Sequence, residues 1–236
     1  MRNARILGSG SFVPADVYPN SWFDAHFDKP PGPWLEENLN IRERHWCSPK
    51  ESTLDLSEQA ALDALKNTGL DATELDLIIL ATDTAEVLSP ATSTALQYRL
   101  GAKNAVTFDL NNACAGFING LDIAGRYLQT DPEFKKIMVI GVYAISKFLN
   151  LKDKKTSTIF GDGAAALILG GDNGSAAAYL GSKFATDGSY FDFMGIYAGG
   201  SKHPYSEMDP GDPSLYLQVL KRYPDELNPD TWLRLI

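Results

Sequence analysis

The chain has 236 residues, a hydrophobic content of 44% and a formal net charge of −9. The negative charge argues against a nucleic-acid partner, because such partners are held by neutralising phosphates with Lys and Arg. No apolar run approaches the ~20 residues that span a bilayer, and residues 1–6 lack the apolar core of a signal peptide. We therefore expect a globular protein with a cytoplasmic location and no membrane contact.

The numbers and spacing of cysteine and histidine argue against a disulfide framework and against a metal site. The chain has two cysteines, Cys47 and Cys114, which do not make a disulfide framework and fit a reducing compartment. There is no CxxC motif and no His/Cys cluster at ligand spacing, so no metal site is expected.

The first 45 residues give weak signals. Residues 4–13 read as a strand that enters a glycine-rich turn at residues 8–11, which lacks the spacing of a phosphate-binding loop. Residues 14–33 are rich in Pro and Asp, which favours an irregular surface segment. Residues 40–45 carry mixed charge and read as a solvated turn. Four aromatic residues near this segment are interpreted as local packing: Trp22, Phe23, Phe27 and Trp34.

The middle of the chain alternates helices with buried strands. One helix is predicted to begin at a capping box formed by Asp55 and Glu58 and to end at Gly69. A second covers residues 92–100 and ends at Gly101. Three apolar segments are typical of strands covered on both faces: residues 75–81, 137–142 and 164–170. This alternation predicts an α/β architecture.

Cys114 lies between a strand pattern at residues 106–110 and a helical pattern that begins at Phe117. A cysteine at a strand-to-helix junction faces unpaired N–H groups and the positive end of the helix dipole. That setting favours the thiolate, the reactive form of the side chain. The alternative, a small buried hydrophobe, describes most cysteines that form no disulfide, and spacing alone leaves both open.

The last third is less regular. Residues 171–175 break the pattern, and a new strand is predicted near Ala177. Residues 187–230 are rich in Gly, Pro and Tyr, and a helix is predicted from Pro229 onward with Asp230 or Thr231 near its cap. Because helices average ~11–12 residues, we expect the chain to end inside an element.

Five motifs in order carry a resemblance to a known family. They are GSG at residues 8–10 with the following Pro14, IRERH at 41–45, NACAGF at 112–117, IFGDGAA at 159–165 and DGSY at 187–190. Together they resemble the ketoacyl-acyl-carrier-protein synthase III family of the thiolase-like superfamily. The cysteine motif and the FGDG motif are specific as a pair, whereas either alone is weak.

The resemblance implies an α/β fold of the thiolase-like type, with two similar halves stacked in α-β-α-β-α layers. Residues 1–173 correspond to a complete N-terminal half that carries the nucleophile. Residues 174–236 correspond to only the beginning of the C-terminal half. Members usually form homodimers by pairing the strand before the nucleophile, here residues 106–110.

The resemblance also implies a two-step reaction. Acyl-CoA loads its acyl group on Cys114, and malonyl-acyl-carrier protein then decarboxylates and attacks it, with no further cofactor. Trp34 matches a residue that stacks on the CoA adenine, and Lys154 falls where the family has an arginine near the CoA phosphates. The family has a second arginine on the adenine side, and this sequence has Asn38 at that position.

One expected part of the site has no counterpart. The family completes its site with a His and an Asn that stabilise the enolate, and none of His26, His45 and His203 has that context. We expect each to be a surface or locally bonded histidine, and we expect acyl loading with poor condensation.

Several alternatives stay open. The chain could be a related condensing enzyme of secondary metabolism, since residues 83–90 and 190–216 would border the acyl tunnel without matching the housekeeping pattern. It could instead be a non-catalytic half, or a remnant that dimerises. A lysine cluster could meet the carrier protein or CoA phosphates, or simply be a solvated loop: Lys147, Lys152, Lys154 and Lys155.

Overall fold

The computed structural model describes residues 3–172 and 178–235. The strands are β1 (Asn3–Phe12), β2 (Asp16–Pro19), β3 (Glu43–Trp46), β4 (Leu77–Ala81), β5 (Val106–Leu110), β6 (Lys136–Tyr143), β7 (Gly163–Asp172), β8 (Met194–Gly195) and β9 (Gln218–Val219). The helices are α1 (Asn20–Asp24), α2 (Gly32–Leu39), α3 (Thr53–Thr68), α4 (Thr92–Leu100), α5 (Gly116–Thr130), α6 (Lys154–Ser157) and α7 (Leu227–Leu235). In the described ranges no helix is long and apolar enough to cross a bilayer.

The chain forms two compact units. Unit 1 takes residues 1–18, 44–145 and 161–181, and unit 2 takes residues 19–43, 146–160 and 182–236. The expected boundary between residues 173 and 174, and the expected strand near Ala177, lie outside the described residues. The division into two halves therefore stays a prediction.

Unit 1 is built on a five-stranded mixed sheet with the order β1-β7-β6-β4-β5. Strand β4 runs parallel to both β5 and β6, whereas β7 is antiparallel to β6 and to β1. Strands β2 and β3 form a separate two-stranded sheet. The predicted buried strands are confirmed, with bounds that differ by one or two residues.

Helices cover both faces of the five-stranded sheet. Ile78 and Leu80 face a core shared with α3 and α4, and Leu77 and Ile79 face a second core shared with α5. All four side chains are fully buried. Successive residues of a strand point to opposite faces, so a strand covered twice needs an uninterrupted apolar run, as the sequence shows.

The N-cap of helix α3 lies three residues before the predicted cap. Ser52 is the N-cap, its side chain accepts from the Asp55 N–H, and the Asp55 carboxylate accepts from the Ser52 N–H at 2.9 Å. The predicted Asp55–Glu58 box was therefore wrong. Asp55 and Glu58 both pair with Arg99 instead, at 2.7 and 3.1 Å. Helix α4 and the ends of both helices at Gly69 and Gly101 are as predicted.

The glycine-rich residues 8–11 are not a turn. They continue β1 and pair with β7, with an irregular register between Ile6 and Gly8. A Cβ on Gly10 would lie 2.2 Å from the Ala64 backbone nitrogen, so Gly10 allows α3 to lie directly against the strand. Glycine here serves close backbone approach, a use that composition does not distinguish from a turn.

Residues 40–45 are a solvated turn only in part, since Asn40 and Arg42 are exposed and β3 begins at Glu43. Arg44 lies in β3 and is only 4% exposed. Its Nη1 donates to the Tyr18 carbonyl at 3.0 Å, and burial lowers the pKa of the guanidinium. The charge pattern suggested solvation because arginine is rarely buried without partners.

Unit 2 holds the more irregular segments. Residues 14–33 were predicted to be irregular, but they include α1 and the start of α2, where Phe23 and Leu35 are buried. Residues 146–155, which hold the lysine cluster, contain part of a short 3₁₀ turn, and the last two of them begin α6. Leu217 is buried, and its N–H donates to the Phe148 carbonyl at 2.8 Å.

The final helix was predicted, but it begins earlier than expected. Helix α7 starts at Leu227 rather than beside Asp230 or Thr231. Pro229 is tolerated at its third position because the first N–H groups of a helix have no intrahelical partner. Ile236 lies outside the described residues.

Candidate functional site

Cys114 occupies the junction that the sequence predicts. Strand β5 ends at Leu110, a 3₁₀ turn covers Ala113–Ala115, and α5 begins at Gly116. The cysteine is exposed, which disagrees with the alternative of a buried hydrophobe. It precedes a helix of 15 residues, so its surroundings include the unpaired N–H groups and the positive end of the dipole.

The backbone around Cys114 is constrained. Ala113 has a φ of 42°, in the left-handed region that a residue with a Cβ rarely adopts. Such strain persists only where surrounding structure imposes it. A Cβ on Gly116 would lie 3.3 Å from the Ala81 Cβ, and one on Gly120 would lie 2.8 Å from the Val139 Cγ1. The small residues thus bring the start of α5 onto the sheet and fix the cysteine there.

A cavity of about 240 Å³ opens beside the sulfur. It lies in unit 1 and is lined by residues from the carboxyl ends of β4 and β6, the start of β7 and the cysteine turn: Ala81, Thr82, Asp83, Ala113, Cys114, Phe117, Gly141, Val142, Tyr143 and Gly163. Because β4, β5 and β6 are parallel, their carboxyl ends meet at one edge, where open α/β sheets bind ligands.

Two titratable side chains share this cavity with Cys114. Burial raises the pKa of the Asp83 carboxyl, against a smaller opposing effect of its own backbone N–H. Burial first, and then the charges of Asp83, Cys114 and Asp162, raise the pKa of the Tyr143 phenol. Tyr143 therefore remains a neutral phenol able to donate a hydrogen bond at physiological pH.

The segment that carries Asp83 is held in place by its neighbours. The Thr84 N–H donates to Thr82 Oγ1 at 3.0 Å, and the Ala144 N–H donates to Thr84 Oγ1 at 3.0 Å. The Thr82 N–H donates to the Leu110 carbonyl at 3.1 Å. These bonds tie the ends of β4, β5 and β6 together around the cavity.

We expect replacement of Asp83 by Asn to stabilise the protein at neutral pH. Because the folded-state pKa is raised, the folded chain binds the proton more tightly than the unfolded chain, and stability falls as pH rises through and above the usual Asp range. Thermal unfolding should show Asp83→Asn melting higher than wild type near neutrality and equally at a pH well below that range. A constant difference at both pH values would contradict this.

Residues of the IRERH and FGDG motifs contact each other. Asp162 is buried; its carboxylate accepts from the Cys47 N–H at 2.7 Å, and its N–H donates to the His45 carbonyl at 2.8 Å. A Cβ on Gly161 would lie 3.3 Å from the Arg44 Cβ. These contacts position Gly163, the first residue of β7, at the cavity. His45 is locally bonded, with Nδ1 2.6 Å from the Pro14 carbonyl.

The other two predicted site residues lie in unit 2. Trp34 is on α2 and 55% exposed, so local packing leaves much of its side chain accessible. The Asn38 side chain donates to the Trp34 carbonyl at 2.9 Å. Lys154 begins α6, and its Nζ lies 3.5 Å from the Lys29 carbonyl. Their roles stay predictions.

Sequence reasoning did not single out Asp83 or Tyr143 as site residues. Asp83 entered only as one end of a segment expected to border the acyl tunnel. The available signal was their position: each is a polar residue at the end of a buried strand, β4 or β6, where carboxyl ends converge. Neither belongs to a motif.

Comparison with known proteins places this chain in a fold class. Residues 108–188 match the family model for 3-oxoacyl-[acyl-carrier-protein (ACP)] synthase III. The beta-ketoacyl-[acyl-carrier-protein] synthase III of Clostridioides difficile (strain 630) is 38% identical over 199 residues, covering 84% of this chain and 60% of the relative. The enzyme of the same name from Clostridium acetobutylicum is 38% identical over 209 residues, covering 88% of this chain and 62% of the relative.

Solved structures agree with the sequence matches. The 3-oxoacyl-(acyl carrier protein) synthase III of Pseudomonas aeruginosa PAO1 superposes with a TM-score of 0.81 at 31% identity, over 93% of this chain and 65% of that one. The priming beta-ketosynthase of the R1128 polyketide pathway gives 0.82 at 29% identity, over 93% and 64%. The mixed sheet covered on both faces is thus the thiolase-like α/β fold.

Within that class, the chain is similar to the 3-oxoacyl-[acyl-carrier-protein] synthase III family, whose model matches residues 108–188 and whose curated members it resembles over most of its length. It spans about 60% of the length of the curated relatives that it matches.

Proposed function

We propose that this chain carries the acyl-accepting site of a synthase III-type acyltransferase. In this proposal Cys114 is acylated by acyl-CoA, and the complete reaction condenses that acyl group with malonyl-acyl-carrier protein in fatty-acid or related synthesis. The observation that carries the proposal is an exposed cysteine, fixed before a long helix and open to a cavity at the carboxyl ends of parallel strands.

The loading step follows from this geometry. The Cys114 sulfur, as thiolate, attacks the thioester carbonyl carbon of acyl-CoA, and the carbonyl oxygen becomes an oxyanion. Backbone N–H groups at the start of α5, including that of Cys114, are suited to donate to that oxyanion. The bond between the carbonyl carbon and the CoA sulfur then breaks, and CoA leaves as a thiolate that takes up a proton.

Condensation makes a further demand. Loss of carbon dioxide from the malonyl group leaves an enolate, whose carbon attacks the Cys114 thioester while the sulfur leaves as a thiolate. Donors must hold the enolate oxygen, a role that the family gives to His and Asn. Among the described residues, no histidine lines the cavity beside Cys114. We propose that the described residues support loading and condense poorly by themselves.

Trp34 and Lys154 are proposed to contact CoA. An exposed indole offers a face for the adenine ring, and a lysine offers a point charge for phosphates. Lys147, Lys152 and Lys155 are exposed near Lys154 in sequence. On a chain with a net charge of −9, these lysines make residues 147–155 the proposed contact for acyl carrier protein.

Replacing Trp34 by alanine should raise the KM for acyl-CoA about tenfold, since stacking on a base contributes ~1–3 kcal/mol, and should leave the maximal loading rate nearly unchanged. Trp232, which is 64% exposed on α7, offers a matched control, and Trp232→Ala should not alter KM. Initial rates of CoA release over a range of acyl-CoA concentrations give both constants. An unchanged KM in Trp34→Ala would remove Trp34 from the proposed site.

The test of the proposed function is incubation with acetyl-CoA, followed by intact mass and by free CoA release. We expect one acyl group per chain, cleaved by neutral hydroxylamine as a thioester is. Subsequent addition of malonyl-acyl-carrier protein measures condensation by the appearance of a 3-oxoacyl product. A chain that gains no acyl group and releases no CoA would overturn the proposal and favour a non-catalytic remnant.

A homodimer in a reducing cytoplasm is proposed as the working state. Strand β5 is an edge of the five-stranded sheet, and its Val106 is 56% exposed. Exposed edge strands invite pairing with a second chain, and the resemblance implies pairing at this strand. Sedimentation equilibrium of wild type and Phe108→Pro would report whether this edge is used.

A related condensing enzyme of secondary metabolism is the second candidate. The likeness to a priming ketosynthase of a polyketide pathway, at 29% identity over 93% of this chain, supports it. Both candidates use the same loading step on Cys114.

A further inference from the structure

The cavity beside Cys114 has an acidic group in a mostly apolar wall. Ala81, Phe117 and Val142 line it together with Asp83. Asp83 lies two residues after the end of β4 and is half-buried. An acyl chain needs only an apolar wall, and a carboxylate in such a wall is unfavourable unless it is bound by something.

Asp83 has no cation to compensate it in the part of the chain that the structure describes. Its carboxylate is in none of the ion pairs formed there. The Glu86 carboxylate, three residues later, does have a hydrogen-bond donor from elsewhere in the fold, since it accepts from the Leu54 N–H at 2.9 Å at the start of α3. Asp83 is therefore an acceptor that lines the cavity and takes no part in the ion pairs that stabilise the fold.

The position of Asp83 is also fixed rather than mobile. The hydrogen bonds of Thr82 and Thr84 on either side bind the segment to β5 and to the residue after β6. A group held in this way by its neighbours is preorganised for a ligand. The nearest ligand that the proposed reaction supplies is the acyl group on Cys114.

We propose that Asp83 makes this cavity selective for short acyl groups that carry a hydroxyl group, whose O–H donates to the Asp83 carboxylate. The inference rests on the proposed loading of Cys114. A short group is specified because the cavity, about 240 Å³, is smaller than the ~300–1,000 Å³ typical of drug-sized ligands.

Tyr143 supports the same specificity. It lines the cavity with Asp83, and a phenol both donates and accepts, which matches a hydroxyl group. The negative charges near it, Asp83 and Asp162, oppose an acyl group that ends in a carboxylate. The cavity should therefore rank a hydroxylated group first, an apolar one second and a carboxylated one last.

Three thioesters of similar length test the ranking: 3-hydroxybutyryl-CoA, butyryl-CoA and succinyl-CoA. The readout is the second-order rate constant for acylation of the wild-type chain, by intact mass. We expect 3-hydroxybutyryl-CoA to load about tenfold faster than butyryl-CoA, since a hydrogen-bonding site discriminates strongly against an analogue that leaves its polar group unpaired. Succinyl-CoA should load more slowly than butyryl-CoA.

Asp83→Leu replaces the carboxylate by an apolar group of the same branched shape and should reverse the order of the first two thioesters. Glu133→Leu makes the same change at an exposed position outside the cavity and should keep the wild-type order. Asp83→Asn keeps an acceptor and should retain a weaker preference, which provides a readout even where Asp83→Leu folds poorly.

Each outcome has a defined meaning. Equal or faster loading of butyryl-CoA by the wild type, or an unchanged preference in Asp83→Leu, would overturn the role of Asp83 while leaving loading on Cys114 intact. Failure of all three thioesters and of acetyl-CoA to acylate the chain would overturn the proposed function, and this inference with it.

Discussion

Replacing Cys114 by alanine is expected to abolish the acyl adduct that the chain forms with acyl-CoA. The sulfur is the nucleophile in the proposed loading step, and removing a nucleophile costs about a thousandfold or more in rate. The fold should survive, because the side chain is exposed and the constraint on the turn resides in Ala113 and Gly116. Intact mass after incubation with acetyl-CoA measures the adduct, and thermal unfolding verifies the fold.

Cys47 provides the matched control. It is the other cysteine of the chain, half-buried, packed against the core on the α3 face. Its place in the fold is set by a backbone bond, because its N–H donates to Asp162. Cys47→Ala should therefore load at the wild-type rate. Retention of the adduct in Cys114→Ala, or its loss in Cys47→Ala, would remove Cys114 from the nucleophile position.

Replacing Gly10 by alanine is expected to lower the free energy of unfolding by about 3 kcal/mol, at the upper end of the usual cost of overpacking. The new Cβ would lie 2.2 Å from the Ala64 nitrogen and 2.4 Å from the Ala60 oxygen. Both are backbone atoms of α3, so no side chain can rotate away and the helix itself must shift. Urea unfolding followed by circular dichroism measures the loss.

Gly188→Ala is the control for that experiment. A Cβ at Gly188 would have no atom within 4 Å, so its stability should stay within about 0.5 kcal/mol of wild type, as for most surface changes. If Gly10→Ala were as stable as Gly188→Ala, β1 and α3 would not pack as closely as described.

Sequence patterns predicted elements well where one force dominates. The apolar run in β4 could only be a strand covered twice, and the glycines after α3 and α4 adopt the left-handed conformation expected of a helix end. Prediction was wrong where one residue type occurs in two different structural settings. Gly10 permits contact with α3 rather than a turn, and Arg44 is buried and bonded to the Tyr18 carbonyl rather than solvated.

The site divides in the same way. Cys114 was predictable because its strand, turn and helix are adjacent in the sequence. Asp83 and Tyr143 reach the same cavity from two other strands, and only the parallel order of β4, β5 and β6 brings them together. A single polar residue after a buried strand gives no local sign of which cavity it will face.

The identity of the acylated atom tests the account most directly. Wild-type protein treated briefly with acetyl-CoA, digested at mildly acidic pH and mapped by tandem mass spectrometry should carry its acyl group on the peptide containing Cys114, at sulfur. An acyl group found on Cys47, on a lysine of residues 147–155 or on a hydroxyl side chain would contradict the proposed site.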